Sequence, residues 1–379
     1  MTVYLDVSAG VNVSAGLGRY SRSLTQAMLP YFIEPPTLFF NYIKGRTNEI
    51  ADFQHLKKRS IRLGYKAWRM AVWAGQLGHI PFNALVPHAT LFHAHEHLLI
   101  PLRKVPTILT VHDLIFKLFP EHHKRLNHTF LNQAMPIFAK RATAIIAISE
   151  ATKRDLMQYY QVPSEKITVI YEAAAPNFKP PLPEQCVEVR RRYQLPERFL
   201  IVVGTIEPRK NYSRLVQALV QLHQWDPDLK LVVVGSKGWL YEDFFNTINA
   251  LNAADDVILP GYIPDEDLPA LYGAATAMVM PSIYEGFGLP LLEAMACGVP
   301  VASSHAASLP ELGGDVPIYF DPHDLDDMVE ALKSLLLDEE RQQLMRQRGP
   351  EQAARFSWDK AARETLQLYN QFATVAKFD

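Results

Sequence analysis

Residues 281–294 carry two carboxylates, Glu285 and Glu293, eight positions apart around the turn Gly286-Phe287-Gly288, with Leu289 and Pro290 leading into a helix-like run. Glycines at 286 and 288 let main-chain N–H groups approach an anion, and Pro290 in a first helical turn offers the positive end of the helix dipole. Carboxylates repel phosphate, so Glu285 and Glu293 suit hydroxyl groups. A polyol joined to a diphosphate meets both demands, and a sugar nucleotide is the simplest such molecule. Upstream, Gly204-Thr205-Ile206-Glu207-Pro208-Arg209-Lys210-Asn211 follows a strand-like run and precedes a helix-like one. Ligands in open α/β sheets sit beyond the strand ends. Arg209 and Lys210 are therefore placed to neutralise a departing diphosphate, one as a planar fork and the other as a point charge. A solvated basic turn is the bland alternative.

The elements that must hold these residues are short β-branched runs separated by amphipathic or capped stretches, the pattern of buried parallel strands. A first series covers residues 3–7, 38–42, 107–111, 144–148 and 167–171. A second covers 199–203, 231–234, 257–259, 277–280 and 299–303, with helices expected at 212–224 and 325–337. A proline-rich stretch separates the two series. The expected division is a first α/β domain over 1–175, a linker over 176–198, a second domain over 199–355 and a terminal helix over 356–379, capped by Ser357. Two Rossmann-like domains with one ligand site between them follow from that repetition.

Composition limits the alternatives. A chain of 379 residues, 48% hydrophobic and 21% charged, is too long for one core of usual size. A formal net charge of −2 argues against general nucleic-acid binding. Two cysteines, Cys186 and Cys297, provide neither a disulfide framework nor a metal cluster, which fits a reducing cytoplasm. Cys297, between Ala296 and Gly298, reads as packing rather than as a nucleophile. The opening residues lack the basic and apolar regions of a signal peptide. The longest uncharged-leaning stretch, 268–284, is broken by Pro269, Gly273 and Pro281, so no transmembrane helix is expected.

Taken together, the residues resemble glycosyltransferase family 4, retaining enzymes of GT-B fold. The resemblance rests on Glu285 and Glu293 with Gly286-Phe287-Gly288 between them, Glu207-Pro208-Arg209-Lys210-Asn211, and Gly298-Val299-Pro300-Val301. It extends to Ala15-Gly16-Leu17-Gly18-Arg19-Tyr20, Thr110-Val111-His112-Asp113-Leu114 and Ile148-Ser149-Glu150, and so to nearly the whole chain. It implies a GT-B α/β architecture, two Rossmann-like domains facing a central cleft, with the terminal helix crossing back to the first. It further implies that His112, Arg209, Lys210 and Glu285 serve catalysis. Arg209 and Lys210 would hold the donor diphosphate with the main chain at Gly286, Phe287, Gly288 and Leu289. Glu285 would contact the transferred sugar and Glu293 the ribose, while Tyr262 and Ile263 border the nucleobase with Gly235 and Ser236 nearby. Gly16 and Gly18 would let the first domain close over the phosphates, and His112 would lie against the sugar or the incoming acceptor.

Fixed cations and helix amides at the diphosphate imply that neither a metal nor another cofactor is needed. The segment around Thr110 to Phe116, with Phe119-Pro120-Glu121, is similar to bacterial mannosyltransferases of surface polysaccharide assembly. GDP-mannose is accordingly the expected donor and a glycan or lipid-linked molecule the acceptor, with UDP-glucose or UDP-N-acetylglucosamine as alternative donors. A sugar-nucleotide epimerase or a silent sugar-nucleotide binder would use the same residues. A dehydrogenase would need a full Gly-x-Gly-x-x-Gly fingerprint that neither domain shows.

Two further segments invite a reading. His93, His95 and His97 alternate and would point one way on a strand, as zinc ligands do, but no thiolate or second cluster accompanies them, and acceptor binding is the preferred expectation. Residues 56–69 contain no acid, and Ile61, Tyr65, Trp68 and Val72 recur at helical spacing opposite Arg62, Lys66 and Arg69. An interfacial helix over 56–73 would bring a cytoplasmic enzyme to the inner face of a membrane, whereas a helix packed on its own domain is the alternative.

Overall fold

The computed structural model describes residues 2–12, 16–43, 53–122, 125–261 and 263–373. The chain divides into two units: Met1–Leu118 with Arg125–Glu172 and Ser357–Asp379, and Ala173–Phe356 with Phe119–Lys124.

In the first unit the described strands are β1 (Val3–Asp6), β2 (Thr37–Asn41), β3 (Lys58–Ile61), β4 (Leu91–Ala94), β5 (Thr107–Val111), β6 (Ala144–Ala147) and β7 (Ile167–Val169). They pair in parallel in the order β3-β2-β1-β4-β5-β6-β7. The order reverses at β1, so a crevice opens beyond the carboxyl ends of β1 and β4. Helices cover both faces, so the inner strands are buried along their whole length: every residue of β5 and β6 is buried. The terminal helix Trp358–Ala373 belongs to this unit. Ser357 Oγ caps it by accepting from Lys360 N at 3.1 Å, and the helix packs on Gly16–Met28 with Tyr369 fully buried.

In the second unit the described strands are β8 (Phe199–Val203), β9 (Lys230–Val234), β10 (Val257–Ile258), β11 (Ala277–Met280), β12 (Val301–Ser304) and β13 (Ile318–Phe320). Their order is β10-β9-β8-β11-β12-β13, again all parallel, with the reversal at β8. The loops after β8 and β11 therefore share one crevice. Residues 119–122 join this unit: the Trp239 indole donates to the His122 carbonyl, and the Phe119 and Tyr284 rings lie 5.9 Å apart.

The helical reading of residues 56–69 requires correction. Lys58–Ile61 is the outermost strand of the first sheet, registered Leu38↔Lys58 through Asn41↔Ile61, and the helix begins only at Tyr65 after Gly64. Basic residues suit an edge strand because they discourage further strand pairing. Trp68 and Val72, at 2% and 0% exposure, face the unit's own core rather than a lipid surface. Arg69 lies over the Phe130 ring at 4.0 Å and donates to Asn127 Oδ1 at 2.8 Å, so its charge is engaged on its own unit. Among the described residues no helix is long and apolar enough to cross a membrane.

Candidate active site

The second unit gathers its chemistry at the β8/β11 crevice. β8 is followed by Gly204, whose φ of +148° is open to glycine and rare for other residues. A Cβ there would meet Lys210 Cε at 3.3 Å, so the missing side chain makes room for the lysine. Gly235, with φ +150°, is more constrained, since its Cβ would lie 2.1 Å from the Gly204 carbonyl oxygen. The two glycines let the β8 and β9 extensions run in contact, and Ile206 N donates to Ser236 O at 3.0 Å. Gly235 and Ser236 thus lie beside the Arg209–Lys210 turn. Asn211, in the left-handed region at φ +58°, donates its amide to Pro281 O and Pro322 O at 3.1 and 2.8 Å and ties the two loops together.

Four charged side chains meet there. Lys210 Nζ bonds Glu285 Oε1 at 2.7 Å, and Arg209 Nη1 bonds Glu285 Oε2 at 2.7 Å and the Tyr284 carbonyl at 2.6 Å. Arg209 Nη2 reaches Glu207 Oε1 at 2.5 Å, and Ser282 Oγ donates to Glu285 Oε1 at 2.6 Å. All four are buried or nearly so. Burial alone would raise the Glu285 carboxyl, but the charges of Arg209 and Lys210 and the bonds from Lys210 and Ser282 hold it down at about 2. Two acids and two bases make the cluster neutral. A diphosphate entering it adds negative charge beside cations that Glu285 already orients.

Gly288 adopts φ +117° and caps the helix Leu289–Ala296, whose first-turn N–H groups and dipole point out of the same turn. Ser308 Oγ fastens the turn by donating to the Glu285 carbonyl at 2.9 Å and to the Phe287 carbonyl. The Phe287 side chain is core, packed edge-on against Phe356, so only its main chain faces outward chemistry. Glu293, 1% exposed on this helix, accepts from the Tyr272 hydroxyl at 3.1 Å. Ile263 is buried, and Tyr262 lies outside the described residues, as does Ala15 of the glycine loop.

In the first unit, Gly16 and Gly18 lie in the first turn of the helix Gly16–Met28, Gly16 exposed and Gly18 buried. His112 follows β5. Its Nε2 donates to the His95 carbonyl at 2.9 Å and its Nδ1 faces Glu172 Oε1 at 3.3 Å, an arrangement that satisfies an imidazolium on both sides. Burial pulls the His112 pKa down, but the Glu172 bond and charge, the His95 carbonyl and Asp113 outweigh it, and the net direction is upward. The Tyr20 ring stands edge-on 4.6 Å away.

The His93 and His95 rings stand edge-on 4.5 Å apart, but among the described residues the three alternating histidines form no group that could hold a metal. His93 bonds Tyr369 Oη at 2.6 Å and Thr110 Oγ1 at 2.8 Å, His95 Nδ1 bonds Ser21 Oγ at 3.1 Å, and His97 Nε2 accepts from His112 N at 2.9 Å. β4 ends at Ala94, so strand alternation no longer governs His95 and His97. Burial and the charge of His112 hold His95 down at about 3, and therefore neutral. Beside them, Asp6 is pushed up to about 7 by burial and by Glu96, which in turn accepts from Tyr65 Oη at 3.0 Å. Sequence reasoning had not singled out Asp6, Glu96, Glu172, Ser282 or Ser308. An acid or hydroxyl placed just after an apolar strand run was the available signal for the first four.

Two doubly wound parallel sheets, the second with a basic pair and a helix terminus at its switch point, define a GT-B glycosyltransferase. Sucrose-phosphate synthase from Thermosynechococcus elongatus has the same fold, with a TM-score of 0.78 at 20% identity over 99% of this chain and 100% of its own. Residues 47–178 match the model described as Glycosyltransferase Family 4, and residues 188–352 match Glycosyl transferases group 1. The chain is 33% identical over 307 residues to O-antigen chain mannosyltransferase B of Escherichia coli, covering 80% of this chain and 76% of that protein. It is 30% identical over 290 residues to the serotype-specific mannosyltransferase WbdA of Escherichia coli, of whose length it spans 35%. The chain belongs to glycosyltransferase family 4.

Proposed function

We propose that this glycosyltransferase moves mannose from GDP-mannose to a glycan or lipid-linked acceptor at the cytoplasmic face of a membrane, with retention of configuration and without a divalent metal. The observation that carries the reading is the buried Arg209–Lys210–Glu285 cluster at the β8/β11 switch point. The mannosyltransferase names of the relatives support the sugar.

In this reading the diphosphate lies against Arg209, Lys210 and the first N–H groups of the helix Leu289–Ala296, Glu293 accepts from the ribose hydroxyls, and His112 faces the transferred sugar or the acceptor. The bond from the anomeric carbon to the diphosphate oxygen breaks and a bond to the acceptor oxygen forms on the same face. The acceptor proton passes to a donor phosphate oxygen. Charge on the leaving diphosphate is met by Arg209 and Lys210, while Glu285 stabilises the oxocarbenium-like sugar electrostatically. Both Glu285 oxygens already accept hydrogen bonds, which disfavours a nucleophilic role.

The reading is tested by a thermal-shift panel of GDP-, UDP-, ADP- and dTDP-sugars followed by transfer assays. Selective stabilisation by GDP-mannose is expected, and selective stabilisation by a UDP-sugar would replace the donor. Lys210→Ala should lower turnover by roughly a hundredfold or more. EDTA should leave turnover unchanged, and a loss on chelation restored by a divalent ion would refute metal independence.

A further inference from the structure

The first unit holds a second cationic site at the end of its sheet opposite His112. Thr107, the first residue of β5, lines a pocket of about 240 Å³ together with Gln76, His79, Leu99, Arg103 and Arg141. Arg141 is built in rather than loose. Its Nη1 donates at 2.6 Å to both the carbonyl and the side-chain oxygen of Gln76, a residue only 1% exposed whose own amide is fixed on the Leu99 carbonyl. Its Nη2 lies 2.9 Å from His79 Nε2. A guanidinium only donates, so His79 accepts there and carries its proton on Nδ1, 3.1 Å from the Leu77 carbonyl.

Arg103 reaches the same histidine from the other side, donating Nη2 to the His79 carbonyl at 3.3 Å. Its main chain is clamped by Asn83, which donates to the Arg103 carbonyl and accepts from its N–H, both at 2.9 Å. A shallower groove continues past His79 and Arg141 to Lys140.

This group gathers its cations without a counter-charge among the described residues. Arg192, Arg198, Arg209, Arg348 and Arg363 all hold carboxylates. Among the described residues none pairs with Arg103, Lys104, Lys140 or Arg141. Lys166 spends its ammonium on the Lys140 carbonyl, and among the described residues the adjacent Glu165 makes no ion pair. The Arg141 Nε and one Nη2 proton, and most of the Arg103 fork, stay unused. Two planar forks around one pocket, with an ammonium on the adjoining groove, match a tetrahedral anion with several oxygens better than a single carboxylate. The wall formed by Leu99 and Leu102, with Leu77 and Ile80 exposed alongside, gives an organic substituent an apolar surface.

We infer that this pocket binds a phosphate group, with Arg103 and Arg141 on its oxygens, Leu99 and Leu102 against the group it esterifies, and Lys140 adding positive charge from the adjoining groove. The phosphate belongs either to a lipid headgroup or to a free phosphorylated compound, and the site is independent of the donor reading.

The test uses the full chain and the variant R103Q/K140Q, both positions being exposed and outside the core. Binding of inorganic phosphate is measured by calorimetry. Cosedimentation is measured with phosphatidylcholine vesicles with and without phosphatidylglycerol, at about 50 and about 300 mM salt. Only the difference between parent and variant is read, so phosphate captured by Arg209 and Lys210 cancels. The variant should lose at least about fivefold in phosphate association or in vesicle binding at low salt, with unchanged transfer to a soluble acceptor. Cosedimentation only with phosphatidylglycerol assigns a lipid headgroup, and phosphate binding without cosedimentation assigns a free compound. A parent chain that binds neither probe, or a variant that binds both as well as the parent, overturns the site.

Discussion

Replacing Glu285 with Gln should change how the protein's stability depends on pH. The carboxyl lies near 4.5 in an unfolded chain and at about 2 in the folded one, where Arg209, Lys210 and Ser282 surround it. Between those values the unfolded chain binds more protons, so stability contributed by Glu285 is complete above pH 4.5 and is lost as pH falls through 2. At about 1.4 kcal/mol per pKa unit, the full contribution is about 3 kcal/mol. Only part of it is lost in an accessible range: from pH 6 to pH 3.5 the parent should lose about 1.4 kcal/mol from this group, roughly 3–6 °C for a unit of this size.

The assay is the unfolding midpoint of parent and Glu285→Gln at intervals across that range, other carboxylates cancelling in the difference. The variant starts lower, by about 3 kcal/mol or more, because two buried cations lose the carboxylate they share. The gap should narrow by about 1.4 kcal/mol as the solution is acidified. A gap that stays constant would refute the ion-paired site. Should the variant fail to fold, carbon-detected NMR of the parent's Glu285 carboxyl gives the same answer, and titration near 4.5 would count against the argument.

Glu293→Ala should weaken donor binding, measured by calorimetry with the nucleoside diphosphate, with a smaller effect on kcat; unchanged donor affinity would remove its ribose role. Glu172→Gln should lower the pKa of His112, read from the imidazole resonances, because the carboxylate's bond and charge are what raise it against burial. Stability derived from the His112–Glu172 pair is fully present below pH 6.5 and fades as pH rises through the raised folded value, so the variant should lose that dependence. Gly235→Ala should destabilise the second unit by several kcal/mol, measured in urea, since a Cβ would meet backbone at 2.1 Å in a conformation only glycine favours.

The sequence by itself determined most of the strands, though not β3, β4 or β13, and the local chemistry of their ends. β-Branched and apolar runs such as 107–111 and 199–203 are legible because parallel strands covered on both faces need no polar alternation. Gly286-Phe287-Gly288 and Arg209-Lys210 are legible because a turn's backbone and charge are set within a few residues. Strand order is different, since it depends on partners far away in the chain. Only the folded sheet puts the loops after β8 and β11 side by side, and with them Lys210 on Glu285, 75 residues on. The same holds for Glu172 beside His112, Tyr369 on His93, and residues 58–61, whose helical spacing was overridden by an open sheet edge that accepted them as a strand. Local patterns fix what a segment buries, whereas the tertiary structure decides which buried charge each side chain must meet.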